Sequence, residues 1–277
     1  MSADRVMSFK AAIKDFAAAE NIPAQVALQN FMFERFFARM SKSAVKDKFV
    51  LKGGVLVSQY LGLDRRTTMD VDMTMRNATL DESSLRDMLE QVFSAPIDDG
   101  IEWRIKSVEP IRENDAYGGL RAKVVANMET ITVPFSIDVS TGDAITPGAV
   151  EFFIRSRFLR NEFYRVQSYT PETVLAEKME AILTRGVLST RPRDYYDFYM
   201  VWKQTEIDKS VFRDALAATM RHRGTFDVLA KAESVIASIR ASTAMQRQWD
   251  KFQREFPFAN GIGFGEILET LNGSLRN

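Results

Sequence analysis

The sequence predicts an α+β fold, with a strand-bearing N-terminal part followed by an all-helical C-terminal part. Three observations carry this. Two stretches, Met69 to Met75 and Phe135 to Val139, alternate apolar and polar residues with the period of a half-buried strand. From Thr170 onward the chain carries helix signals and no strand alternation. Finally, 277 residues with 45% hydrophobic and 27% charged content are ordinary for a globular chain. A chain of this size buries about 70–75% of its extended surface on folding, so it needs no metal or disulfide staple.

Taken in order, residues 6–41 read as helical, rich in Ala, Phe and Met, with Phe31, Phe33, Phe36 and Phe37 crowded together. Pro23 opens the second helix of that segment, since proline is tolerated in a first turn. Phe49-Val50-Leu51 leads into Lys52-Gly53-Gly54, and residues 55–61 suit a short helix stopped by Gly62. In the strand that follows, Asp70, Asp72 and Thr74 share one face, and Met69, Val71, Met73 and Met75 the other. Residues 80–93 form a helix beginning after Thr79. Strands at 101–109, 120–128 and 131–139, separated by turns at Gly118-Gly119 and Glu129-Thr130, make a meander. Residues 151–165 add an edge strand or a hairpin.

Thr170-Pro171-Glu172 is a helix start, with a hydroxyl cap, proline at the first position and an acid in the first turn. Helices are expected at 171–185, 193–203, 208–221, 226–239, 242–254 and 263–274. The expected domains are therefore 1–168 and 169–277.

Composition narrows the chemistry. There is no cysteine, which excludes a disulfide scaffold, zinc fingers, iron–sulfur clusters and thiol catalysis. His222 is the single histidine, so a multi-histidine metal site is impossible. Any chemistry rests on carboxylates, Lys, Arg and hydroxyls. The 37 basic and 37 acidic side chains cancel, so a nucleic-acid surface has to be a local patch. The first sixteen residues carry Asp4, Lys10, Lys14 and Asp15 with no apolar signal core. No apolar run is long enough to span a membrane, and a cytoplasmic location is expected.

The informative constellation is Gly53-Gly54, a short helix, and then Asp70-Val71-Asp72 on a strand. Carboxylates at i and i+2 of a strand point the same way, about 6–7 Å apart along the backbone. They repel unless a cation lies between them. Oxygen donors without Cys or His suit Mg²⁺, which also binds substrate phosphates. The two glycines let backbone approach closely and offer amide donors to a phosphate. Asp138, on the polar face of a later strand, is a candidate third carboxylate. Such a set meets the requirement of metal-dependent phosphoryl or nucleotidyl transfer. An Asp-x-Asp pair alone equally suits a solvated strand face.

Leu51-Lys52-Gly53-Gly54 with Arg66-Thr67-Thr68-Met69-Asp70-Val71-Asp72 resembles the first motif of the AbiEii family, nucleotidyltransferase-like toxins of abortive-infection systems related to the MenT toxins. Ile137-Asp138-Val139 with Gly142-Asp143 and Pro147 resembles the second. Leu175-Ala176-Glu177-Lys178 to Ile182, then Arg191-Pro192-Arg193-Asp194 to Asp197, resembles the last two helices, so the likeness runs from about 45 to 205. It implies a nucleotidyltransferase-like mixed sheet with flanking helices, followed by a helical part.

By the same resemblance, Asp70, Asp72 and Asp138 are metal ligands. Gly53, Gly54, Thr68 and Lys178 face the nucleotide, and Asp194 is the acid of the last motif, with Asp197 the competing choice. The implied reaction takes an NTP with Mg²⁺ and adds nucleotides to an RNA, a tRNA 3′ end in particular, with a cognate antitoxin as partner. A protein or small-molecule acceptor, or a binding module acting through a partner, are the competing readings. Three departures stand out: Gly54 where many nucleotidyltransferases have Ser, Thr68 for the usual Ser, and Arg193 for the common Lys.

The same residues also have plainer readings. Lys178 borders the apolar stripe of Leu175, Met179 and Ile182 and suits a snorkelling lysine. Arg193 and Asp197 are spaced as a helical ion pair, Asp143 follows Gly142 as a turn residue, and His222 suits a solvated helix end. Residues 151–165 interleave Arg155, Arg157, Arg160 and Arg165 with Phe152, Phe153, Phe158 and Phe163. That pattern suits RNA backbones and unstacked bases, and equally an amphipathic strand.

Overall fold

The computed structural model describes residues 3–111 and 118–276. They fall into two compact units: Met1–Gly142 with Val150–Ser168, and Asp143–Ala149 with Tyr169–Asn277. No helix among the described residues is long and apolar enough to cross a membrane.

The first unit opens with helices α1 (Ala3–Ala19) and α2 (Ala24–Lys42), the latter capped by Pro23. Strand β1 (Phe49–Lys52) runs directly into α3 (Gly53–Leu61), which Gly62 ends at φ +94°. That helix starts two residues earlier than its apolar pattern indicates, because Gly53 turns the chain at φ +62°. β2 (Asp70–Met75) follows, then α4 (Glu82–Phe93). α4 begins at Glu82 rather than directly after Thr79, because the Asp81 carboxylate accepts the Ser84 amide as the cap.

The meander is β3 (Glu102–Pro110), β4 (Leu120–Met128) and β5 (Ile131–Thr141). Gly119 carbonyl accepts the Ile111 amide at the base of the β3–β4 connection, of which residues 112–117 lie outside the described residues. Residues 150–168 form a hairpin of β6 (Val150–Arg155) and β7 (Phe163–Ser168), of which only β6 is an edge.

Among the described residues seven strands make one mixed sheet in the order β3-β4-β5-β2-β1-β7-β6. β2 runs parallel to β5 and β1 parallel to β7; the other pairs are antiparallel. The face carrying Phe135, Ile137 and Val139 packs on α2, where the Phe33 and Phe135 rings lie 5.0 Å apart. α2 also buries Arg35 and Arg39, both bonded to Asp99, and Glu34, which accepts from the Ser156 hydroxyl and the Arg157 amide. Buried charges persist when paired in this way. The opposite face of the sheet carries the aspartates.

The second unit is helical: α5 (Pro171–Arg185), α6 (Pro192–Gln204), α7 (Lys209–His222), α8 (Ala232–Ala241), α9 (Thr243–Glu255) and α10 (Phe264–Leu275). Thr170 caps α5 by accepting the Thr173 amide. The single helix expected over 226–239 is instead a 3-10 segment (Phe226–Lys231) followed by α8. The unit's core holds Tyr195, Tyr196, Phe198, Phe212 and Trp249, all fully buried.

Candidate active site

Strand register builds the site. Arg121 on β4 pairs with Asp138 on β5, Asp138 with Asp72 on β2, and Asp72 with Lys52 on β1. Residues paired across a ladder share a face, so four charged side chains stand in a row, cation–anion–anion–cation. Asp70 lies two residues from Asp72 on the same face. Asp70, Asp72 and Asp138 each place one carboxylate oxygen within 4.8 Å of the others.

Each carboxylate has a defined holder. Thr68 Oγ1 donates to Asp70 Oδ1 at 2.8 Å, so this hydroxyl orients an aspartate. The Gly54 amide donates to Asp72 Oδ2 at 3.2 Å. Arg121 grips Asp138 with two bonds, Nε to Oδ1 at 2.8 Å and Nη2 to Oδ2 at 2.6 Å. Lys52 Nζ donates to Ser140 Oγ at 2.8 Å.

Both glycines are there for space. A Cβ on Gly53 would sit 2.0 Å from Asp72 Oδ2, at a φ of +62° that side chains avoid. A Cβ on Gly54 would meet Thr68 Oγ1 at 2.6 Å and the Arg66 guanidinium at 3.1 Å. Gly54 and Thr68 are thus one feature: the threonine hydroxyl fills the volume that a serine at 54 would need. Arg66 is buried behind them and donates to the Thr67 carbonyl.

Burial pushes the Asp72 carboxyl up to about 6 from its ordinary 3.8. That value is the net of burial, the largest cause, and the charges on Asp70 and, more weakly, Asp138, against which the Gly54 amide and Lys52 pull only in part. A carboxylate so penalised is held ready for a cation. The donor set of three carboxylates, with no nitrogen or sulfur ligand, fits a hard divalent ion such as Mg²⁺.

A pH dependence follows. A folded-state pKa above the unfolded 3.8 means that the ionised Asp72 destabilises the fold. In chelator, that cost is absent below about pH 4, grows as pH rises toward 6, and stays above it. Asp72→Asn keeps an acceptor for the Gly54 amide. Its stability relative to wild type is expected to rise by about 2–3 kcal/mol between pH 4 and pH 7. Urea unfolding of both proteins across that range measures it, and a constant difference would refute the shift.

The later motifs meet inside the second unit. Lys178 Nζ on α5 donates to Asp194 Oδ1 at 2.9 Å and to Asp197 Oδ2 at 2.8 Å, both on α6. The two acid side chains are 4% and 0% exposed, the lysine 13%. The ammonium thus does not snorkel to solvent but sits in a buried carboxylate pair. Arg191 adds a second cation to Asp194 at 2.8 Å. Arg193 lies over the Phe256 ring at 4.7 Å.

Sequence reasoning missed Arg121, although a signal was present. A two-residue turn at Glu129-Thr130 pairs Met128 with Ile131, and counting back along both strands brings Arg121 opposite Asp138. Of the arginines interleaved with phenylalanines over 151–165, Arg157 turns its guanidinium inward and donates to the Ser58 carbonyl at 2.8 Å.

A family model described as "Nucleotidyl transferase AbiEii toxin, Type IV TA system" matches residues 35–270. No curated protein matches the chain. A solved structure from H. pylori, assigned as a nucleotidyltransferase, is 14% identical with a TM-score of 0.50, covering 92% of this chain and 97% of that one. It shares the fold. JHP933 from Helicobacter pylori is 15% identical with a TM-score of 0.45, covering 86% of this chain and 97% of that one. An antigenic nucleotidyltransferase-like protein from Paracoccidioides brasiliensis is 15% identical with a TM-score of 0.39, covering 72% of this chain and 92% of that one.

Proposed function

The chain belongs to the AbiEii family of nucleotidyl transferase toxins of type IV toxin–antitoxin systems, and from that premise we propose that it is a Mg²⁺-dependent enzyme that transfers nucleotides from an NTP to the 3′ end of an RNA, a tRNA in particular. One observation carries the reading: three carboxylates on one sheet face, flanked in register by Arg121 and Lys52. The RNA acceptor, its growth-blocking effect and a cognate antitoxin as counterpart come from the family resemblance.

In the proposed reaction the terminal 3′-oxygen bonds to the α-phosphorus, the bond from that phosphorus to the bridging oxygen breaks, and pyrophosphate leaves. Asp70 and Asp72 would hold the metal, which supplies charge neutralisation at the triphosphate and acidifies the attacking hydroxyl. Thr68 and the Gly54 amide keep those two carboxylates aimed. Asp138 stands ready to take the hydroxyl proton once Arg121 lets go of it. In this reading Arg121, whose side chain is 39% exposed, turns from Asp138 toward the incoming phosphates. Its freed guanidinium is then a phosphate ligand. By the motif, Lys178, held by Asp194 and Asp197, is proposed to meet the nucleotide phosphates.

Arg121→Ala separates the two parts of that role. Removing the competing cation from Asp138 is expected to tighten Mn²⁺ binding to the nucleotide-free protein several-fold, read by electron paramagnetic resonance. The KM for NTP should rise about tenfold, as expected for a lost charge-assisted phosphate contact. Unchanged Mn²⁺ affinity would leave Arg121 as a strand-pairing ion pair.

The proposed function is tested by incubating the protein with radiolabelled NTPs, Mg²⁺ and total tRNA. A labelled RNA band is expected. Label on protein instead would move the acceptor to a protein, and no label with any acceptor would make the chain a binding module.

A further inference from the structure

The outer face of the β6–β7 hairpin is built unlike the rest of the sheet. Its inner face holds Ile154, Tyr164 and Val166, all buried. Its outer face presents Phe153 opposite Arg165 and Arg155 opposite Phe163, a diagonal pattern of two rings and two guanidinium groups. Both phenylalanines are 57% exposed. Arg155 is exposed, and Arg165 is half-exposed with a salt bridge to Glu151 at 3.2 Å.

This face is also the face of the aspartates. Asp72 pairs with Lys52; two residues back on β1, Val50 pairs with Gln167; and Gln167 pairs with Glu151. Alternation then puts Arg165 and Phe163 on β7, and Phe153 and Arg155 on β6, on the same side as Asp72. Arg76, two residues beyond Thr74 on that side, donates to Gln167 Oε1 at 3.1 Å. Arg76, Arg155 and Arg165 thus share this face, with Glu151 paired to Arg165. Three strand spacings and four residues of rise put the patch about 20 Å from Asp72.

We propose that the outer face of the β6–β7 hairpin receives a single-stranded stretch of the RNA acceptor, with unpaired bases on Phe153 and Phe163 and phosphates on Arg155 and Arg165. The proposal rests on the RNA reading of the proposed function. Exposed rings beside guanidinium groups are what sequence-tolerant single-strand binding uses. A stable protein partner engages about 20–30 residues a side, far more than this patch offers. Its position on the reactive face fits a substrate better than a regulator.

The experiment uses the full chain and a fluorescent single-stranded RNA oligonucleotide in chelator, alongside the tRNA-labelling assay. Losing base stacking weakens binding by about 5- to 150-fold per base. Phe153→Ala with Phe163→Ala should therefore lower oligonucleotide affinity at least tenfold and raise the KM for RNA accordingly. Phe153→Tyr, which keeps a ring, should bind as wild type does. Arg155→Ala with Arg165→Ala should flatten the salt dependence of binding by about 1.4 in log–log slope, at about 0.7 per phosphate on a single strand. Wild-type RNA affinity and KM in the double Phe variant, with RNA labelled normally, would overturn the landing surface and leave the RNA reading standing. A wild-type protein that neither binds nor labels RNA would overturn both. Selective loss of a protein acceptor in the same variant would reassign the surface to protein.

Discussion

Asp70→Ala and Asp72→Ala are each expected to lower nucleotidyl transfer by about 10³-fold or more while leaving the chain folded. Loss of that size is about 4 kcal/mol of transition-state stabilisation, in the range that removal of one preorganised electrostatic group produces. The two belong together because one cation needs both, with Asp138 completing a set whose oxygens lie within 4.8 Å. The fold should not suffer. Asp72 is penalised by burial and by Asp70, so removing either charge relieves repulsion, and metal-free thermal stability should rise. Single-turnover transfer to RNA, melting in chelator, and growth on expression of each chain are the measurements. Near-wild-type turnover in both variants would rule out this site. Equal growth inhibition by wild type and Asp70→Ala would mean that toxicity does not come from catalysis.

Lys178→Met is expected to be the most destabilising of the single changes considered. The substitution keeps the stem but leaves Asp194 and Asp197 buried without the ammonium that now bonds both, at 2.9 and 2.8 Å. Breaking a buried pair by removing one partner costs about 3–5 kcal/mol, because the remaining charge is uncompensated. Here two carboxylates are affected, and Arg191 still serves Asp194. Urea unfolding should show the loss directly, and a cost below about 1 kcal/mol would contradict the buried-pair geometry. The phosphate role needs a background in which the fold is restored. Lys178→Met combined with Asp194→Asn and Asp197→Asn removes the stranded charges. Transfer by that variant should still fall about 30- to 1,000-fold if the ammonium meets phosphate, equivalent to about 2–4 kcal/mol. Transfer within about threefold of wild type would make the three residues a structural tie between α5 and α6.

What was legible in the sequence was what neighbouring residues determine among themselves. The period of two places Asp70 and Asp72 on one face of β2 and Val71, Met73 and Met75 in the core. Thr170, Pro171 and Glu172 start α5 through contacts within four residues. The motifs announced the family, and the departure at Gly54 found its reason in the Thr68 hydroxyl. Tertiary structure decided what depends on residues far apart in the chain. The β2–β5 register aligns Asp72 with Asp138, and β1 then places Lys52 opposite Asp72. The packing of α5 on α6 brings Lys178, at the middle of α5, between two aspartates near the start of α6, turning a snorkelling lysine into a buried ion triad. The hairpin sorted its mixed arginines and phenylalanines, turning Arg157 inward and Phe153 and Phe163 outward. Periodicity assigns a residue to a face, but the partner standing across from it is chosen by strand order and packing, which local sequence does not encode.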